Sequence, residues 1–191
     1  MADEARGPAL GLLELSLVAR GVVVADAIGK RIEVDMLASR PVSGGKHLVI
    51  VAGGVHEVAE AMAAGQGAAG AALVDSLNLA YLDPRLWSFL GEPVHPGEWR
   101  GGPVGAVAIV ETSTVCGAVH AADAAGKTAP VAVRDMRLAV GISGKAFFTM
   151  TGELSDIQAA AAAASEVAGS RLLALEVIAS PTPELVGRLI F

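Results

Sequence analysis

The chain is written twice, and that constrains its fold more than any local pattern does. Sliding the sequence by 97 positions lays Gly11–Lys30 on Ala108–Lys127, and nine of the 20 pairs are identical. They are Glu14/Glu111, Ser16/Ser113, Val18/Val115, Val22/Val119, Ala25/Ala122, Asp26/Asp123, Ala27/Ala124, Gly29/Gly126 and Lys30/Lys127. Two inserted residues then move the shift to 99. That shift pairs Gly45-Lys46 with Gly144-Lys145, Gly53 with Gly152, Leu73 with Leu172, and Pro84-x-Leu86 with Pro183-x-Leu185. The stretch between the copies is rich in Pro and Gly. The expected organisation is a first module over 1–91, a linker over 92–103 and a second module over 104–191.

Each copy reads in the same order. Leu10–Leu15 and Ala106–Glu111 are apolar runs suited to buried strands, and Val18–Lys30 and Val115–Lys127 follow with helical spacing. Second strands are expected at Val34–Ser39 and Val131–Leu138, then Gly/Ser turns at Pro41–Gly45 and Val140–Gly144. Third strands (His47–Ala52, Ala146–Thr151) lead through glycine into helices Val55–Ala64 and Leu154–Val167, and last strands close each copy at Ala72–Leu79 and Leu172–Ile178. The order β-α-β-β-α-β is the split βαβ pattern, so the fold class is α+β. It is a tandem duplication of a ferredoxin-like module, each copy a four-stranded antiparallel sheet with helices packed on it.

Composition narrows the function. At 53% apolar residues the chain is far from the disordered regime. Its longest stretch without charge, Ala61–Val74, has 14 residues, short of the ~20 a bilayer demands. The acidic start Met1-Ala-Asp-Glu4 predicts no secretory signal. A net charge of −6, split evenly between the copies and without a basic block, argues against nucleic acid as a partner. A single cysteine, Cys116, excludes an internal disulfide and suits a reducing cytoplasm. Together with His47, His56, His95 and His120 it offers no metal-ligand spacing. Ala and Gly supply 60 of the 191 residues, which favours close approach of helices, including between subunits.

Tempting motifs reduce to bland ones. Gly65-x-Gly67-x-x-Gly70 spells a dinucleotide fingerprint, but it follows a helix and precedes a strand, the reverse of the context that presents a helix N-terminus to pyrophosphate. Gly126-Lys-Thr128 lacks the first glycine of a phosphate cradle. Ile142-Ser-Gly144 misses a nucleophile elbow because Lys145 stands where the closing Gly belongs. Cys116, at a helix start, reads as a small packed residue, and His47 and His56 as partly exposed side chains. Glu14 and Glu111 are the best carboxylate pair. Their equivalence in the repeat points to a structural role, such as bonding to backbone amides, over acid/base chemistry.

Other residues carry a resemblance. Ala9-Leu-Gly-Leu-Leu-Glu-Leu15 with Ala25-Asp-Ala-Ile-Gly-Lys30 resembles the opening strand and helix of bacterial microcompartment shell proteins. Pro41-Val-Ser-Gly-Gly45 and Leu48–Val55 resemble that family's pore loop, next strand and helix-starting glycine, and the second copy repeats them as Gly141-Ile-Ser-Gly144 and Phe147–Gly152. A duplicated module implies the trimeric class, in which three chains supply six domains to a pseudohexagonal tile. The unpermuted order implies a single layer. The resemblance places Pro41, Val42, Ser43, Gly44, Gly45, Val140, Gly141, Ile142, Ser143 and Gly144 around a central pore of three-fold symmetry. Glycines there let backbone line a narrow opening, and the serine hydroxyls and backbone amides would meet anionic metabolites. Lys30 and Lys127 match the family's tile-edge lysine. The Arg-Pro motif that partners it in hexameric relatives is missing, since Ala179-Ser180-Pro181 keeps only the Pro.

The resemblance therefore implies a non-enzymatic homotrimer in a cytoplasmic microcompartment shell, beside hexameric tiles and pentameric vertices, passing small metabolites. Some trimeric relatives hold an iron–sulfur cluster through a pore-loop cysteine. Neither loop has one here, so no metal or other cofactor is expected. Two rivals belong to other classes. One is a duplicated ferredoxin-like sensor binding a small metabolite between its modules; the other is an enzyme using Glu14 or Glu111.

Overall fold

A computed structural model describes residues 7–90 and 105–185. The expected linker at 92–103 lies outside the described residues. The chain forms two compact units. Among described residues the first holds 7–90 together with Ala139–Gly144, and the second holds 105–138 and 145–185.

The first unit runs β1 (Ala9–Leu15), α1 (Val18–Arg31), β2 (Asp35–Val42), β3 (Lys46–Gly53), α2 (Val55–Ala69) and β4 (Leu73–Leu79), then a 3-10 turn at Pro84–Phe89. Its strands order β2-β3-β1-β4, each antiparallel to its neighbour. The second unit repeats this as β5 (Ala106–Thr112), α3 (Val115–Thr128), β6 (Ala132–Leu138), β7 (Ala146–Gly152), α4 (Leu154–Ala168) and β8 (Leu172–Ala179), in the order β6-β7-β5-β8. The fold class is as the sequence implied.

The central strands explain themselves. All seven residues of β1 are buried, because helices cover one face and the other is also closed off from solvent. On the helix side Leu13, Leu15, Val49 and Val51 meet Val24 and Ile28 of α1 and Val58, Ala61 and Met62 of α2 in one core cluster. Each such aliphatic side chain contributes about 1.5–3 kcal/mol on burial.

Two boundaries differ from the sequence reading. Pro41 and Val42 stay in β2, paired with His47 and Lys46, so the first turn shrinks to Ser43–Gly45. Proline is tolerated there because β2 is an edge strand and its missing N–H breaks no ladder bond. Helix α2 continues past Ala64 to Ala69, through Gly65 and Gly67, and Gly70 ends it at φ 54°. A Cβ on Gly65 would lie 2.4 Å from Leu13 Cδ1, so this glycine lets the helix sit close on the sheet. The GxGxxG spelling therefore reports helix packing and a helix stop.

Candidate functional site

The residues assigned to a pore fall on the β2–β3 turn and on the β6–β7 turn. The first is tight because Gly44 and Gly45 take left-handed φ of 77° and 72°. The second is longer, owing to the two-residue insertion. Four of its members are left-handed: Ala139 (61°), Gly141 (76°), Ser143 (54°) and Gly144 (79°). Two are not glycine, and each costs roughly 1–2 kcal/mol in that region. Contacts that hold the turn in place must offset that strain.

Those contacts run from one turn to the other, inside the first compact unit. The Ser43 N–H donates to the Ala139 carbonyl at 3.0 Å, and the Gly141 N–H donates to Ser43 Oγ at 2.9 Å. The Lys46 ammonium donates to the Gly144 carbonyl at 3.0 Å. Approach is close enough that a Cβ on Gly144 would stand 2.8 Å from the Ser43 carbonyl oxygen, and one on Gly44 3.2 Å from that of Ser143. All ten residues thus come together on one compact unit. Pro41, Gly44, Gly45, Val140, Gly141 and Ser143 are exposed, Ser43 and Ile142 partly so, and Val42 and Gly144 are buried. Two amides that an anion-binding reading would use, those of Ser43 and Gly141, already donate inside the turn pair. The Ser43 hydroxyl accepts one of them and retains its own proton to donate.

Sequence reasoning missed the lysines that follow the turns. Lys46 Nζ lies 2.6 Å from Glu14 Oε1, with the Glu14 side chain fully buried and Lys46 four-fifths buried. In the second unit Lys145 Nζ lies 2.8 Å from Glu111 Oε1, and both side chains remain substantially exposed. The repeat-equivalent carboxylates therefore both meet ammonium groups. The signal was available, since Glu14/Glu111 and Lys46/Lys145 both survive the self-alignment. A carboxylate so paired anchors the strand after the turn to the central strand.

Lys30 and Lys127 sit in the last turns of α1 and α3, where a cation opposes the helix dipole. Each is paired with the aspartate four residues earlier, Lys30 with Asp26 at 2.6 Å and Lys127 with Asp123 at 2.7 Å. Cys116 is buried in α3.

His47 is a correction. Expected to be partly exposed, it is buried, and its ring fills the space that Gly21 of α1 leaves open: a Cβ on Gly21 would fall 2.1 Å from the ring. Nε2 shares a hydrogen bond with Ser39 Oγ at 3.0 Å, while Nδ1 is buried without a partner. Burial pushes the His47 pKa below the usual 6.5, so the ring is neutral at neutral pH. His56 is exposed, as expected.

In the second unit a cleft of about 340 Å³ opens on the sheet face away from the helices. Its walls are Val107, Ile109, Phe147, Ile178 and Leu185, with Glu111 and Thr149 as the polar members. Among the described residues no three of His, Cys, Asp and Glu gather as metal ligands do, and no helix is long and apolar enough to cross a membrane.

Comparison with known proteins agrees with this architecture. The model of the BMC domain matches twice, over residues 9–81 and 106–181. The chain is 35% identical over 175 residues to the bacterial microcompartment shell protein PduT of Citrobacter freundii, covering 92% of each sequence. It is similar to the crystal structure of a microcompartment protein from Desulfitobacterium hafniense, with TM-score 0.79 and 31% identity over 93% of this chain and 97% of that one. A fused permuted hexameric shell protein of the RMM microcompartment shares the fold, with TM-score 0.60 and 18% identity over 83% and 82% of the two chains.

Proposed function

The chain belongs to the BMC-domain family of bacterial microcompartment shell proteins, and we propose that it works there as a homotrimeric, single-layer pseudohexagonal tile with a central pore. Its modules are 1–91 and 104–191, joined by 92–103, so three chains supply six domains around one axis. Lys30 and Lys127 lie at the tile edge and meet hexameric neighbours, with pentameric units closing the vertices. The tile is structural, carries neither catalytic activity nor cofactor, and resides in the cytoplasm within the shell.

The observation that carries the pore is the bonded pair of turns. Ser43 holds Ala139 and Gly141, and Lys46 holds Gly144, so both turns of one chain form a single body. Three such bodies around an axis make a mouth of three-fold symmetry. Their backbones are held by hydrogen bonds, so the opening is set by the side chains that project from them, chiefly Val140, Ile142 and Ser143. With the Ser43 and Gly141 amides engaged, selection of small metabolites falls to size and to the two serine hydroxyls.

Permeability tests this. Val140 is exposed and has an ordinary negative φ, so Val140→Trp adds bulk without the strain that a large residue would meet at left-handed Ser143. Assembled shells carrying Val140→Trp should pass small metabolites more slowly than the parent. Unchanged flux with the trimer intact would show that these turns do not line the path.

A further inference from the structure

The repeat reaches past the last strand of each unit. In the first, the Leu82 N–H donates to the Pro8 carbonyl at 3.0 Å; in the second, the Ser180 N–H donates to the Gly105 carbonyl at 2.9 Å. Pro8 and Gly105 are equivalent at the 97-position shift, so the chain leaves both sheets beside the start of the same inner strand. A matching turn follows. The Leu86 N–H donates to the Asp83 carbonyl at 3.0 Å, and the Leu185 N–H donates to the Thr182 carbonyl at 3.0 Å, one step at the 99-position shift.

Beyond that turn the first unit is apolar and buried. Leu86, Trp87 and Leu90 are 1%, 4% and 6% exposed, and the Leu90 N–H donates to the Trp87 carbonyl at 3.2 Å. The sheet face away from the helices is closed in the same unit, where Leu10, Leu12, Leu48 and Ile50 are fully buried. In the second unit this face is open. Ile109 and Phe147, the counterparts of Leu12 and Leu48, are only partly buried and wall the 340 Å³ cleft, together with Leu185, the counterpart of Leu86. An apolar cleft left wet forgoes about 25 cal/mol for each Å² that a cover would bury.

The sequence supplies a cover. At the 99-position shift Val186 answers to Trp87 and Leu189 to Leu90. Valine is far smaller than tryptophan, but Ile190 and Phe191 stand where the first copy has Gly91 and Glu92. Arg188 is the one charge among these six residues, and Glu111 is the one carboxylate of the cleft wall. Six residues reach up to about 20 Å when extended, which is ample from Leu185, already part of the wall. We propose that residues 186–191, outside the described residues, fill the cleft of their own chain, with Val186 and Leu189 seated as Trp87 and Leu90 are in the first unit. The seated segment leaves the cleft no room for a metabolite, whether or not the chain tiles.

A thiol placed in the cleft tests this. Ile109→Cys in a Cys116→Ala background carries one cysteine, and Ala is what the first copy has at that helix position, Ala19. In the intact chain this thiol should react slowly with dithiodipyridine. Adding Val186→Asp/Leu189→Asp should speed it by about tenfold or more, because each apolar side chain seated there favours the closed form by at least that factor. Far-UV circular dichroism verifies folding, and Ile178→Cys on the same wall replaces Ile109→Cys should that variant fail to fold. A thiol that is fast in the intact chain overturns the proposal, as does a slow one whose rate the aspartates leave unchanged. Co-expressing the aspartate variant with an excess of Cys116→Ala chains should leave its thiol fast. A thiol slowed by those chains would seat the segment on a neighbouring copy and overturn the assignment to its own chain.

Discussion

The two modules share one plan and solve it with different residues. In the first, the helices bring the bulk: Val24, Ile28 and Met62 pack over Val49 and Val51. In the second, the equivalent helix positions shrink to Ala121, Ala125 and Ala161, while the strand enlarges to Phe148 and Met150, and all five are buried. Volume has moved from one layer to the other while the core stays filled, which is what a close-packed interior requires. The same trade appears at one contact. His47 against Gly21 in the first module becomes Ala146 and Ala118 in the second, both fully buried. The lesson is that a repeat conserves the sum of two facing side chains more strictly than either one.

The sharpest way to break the symmetry is through the carboxylates. Glu14 is fully buried against Lys46, so Glu14→Ala should cost about 3–5 kcal/mol by leaving a mostly buried ammonium short of its counter-charge. Glu111→Ala removes the exposed version of the pair and should cost only ~0.2–1 kcal/mol. Urea unfolding of the two variants checks this, and equal losses would show that burial does not separate the pairs.

Next in size is the histidine niche. Gly21→Ala alone should destabilise by about 1–3 kcal/mol, because the new methyl overlaps the His47 ring. Adding His47→Ala recreates the pair found in the second module and should recover part of that loss, with a coupling of about 0.5–3 kcal/mol in the double-mutant cycle. Additive losses would contradict the niche. The same histidine gives a pH dependence. Its folded-state pKa lies below 6.5, so the unfolded chain takes up the proton first. The stability tied to a neutral ring is present above pH 6.5 and declines as pH falls below it. Melting temperature should therefore drop more steeply on acidification in the parent than in the Gly21→Ala/His47→Ala variant.

The smallest difference is at the helix starts. Thr114 caps α3 by accepting the Gly117 N–H at 3.0 Å, whereas Leu17 at the start of α1 makes no side-chain cap. Thr114→Ala should cost ~1 kcal/mol and Leu17→Thr should recover a similar amount in the first unit, both read by thermal melts.

Much of this was legible in the sequence because a repeat makes every element appear twice. The order of strands and helices follows from apolar runs and Gly punctuation, and the strand β1 could be placed from the run Leu10–Leu15 alone. Boundaries slipped where tertiary packing overrode local preference, as at Gly65, which stays helical because α2 approaches Leu13 closely there. The turns were found, but their mutual bonds were not, since Ser43 and Gly141 are 98 residues apart and no spacing rule joins them. The burial of His47 was equally hidden. It depends on the absence of a side chain at Gly21, on a different element. The lysines after the turns were visible as repeated pairs, and only their reach back to Glu14 and Glu111 needed the fold.

Light scattering behind size exclusion, followed by electron microscopy of the concentrated protein, decides whether the chain forms a tiling trimer. A tiling trimer gives 57.6 kDa, three chains of 19.2 kDa each, and ordered sheets or tubes as concentration rises. Twice that mass would keep the family and contradict the single layer; a monomer or dimer that never forms sheets would contradict the tile itself.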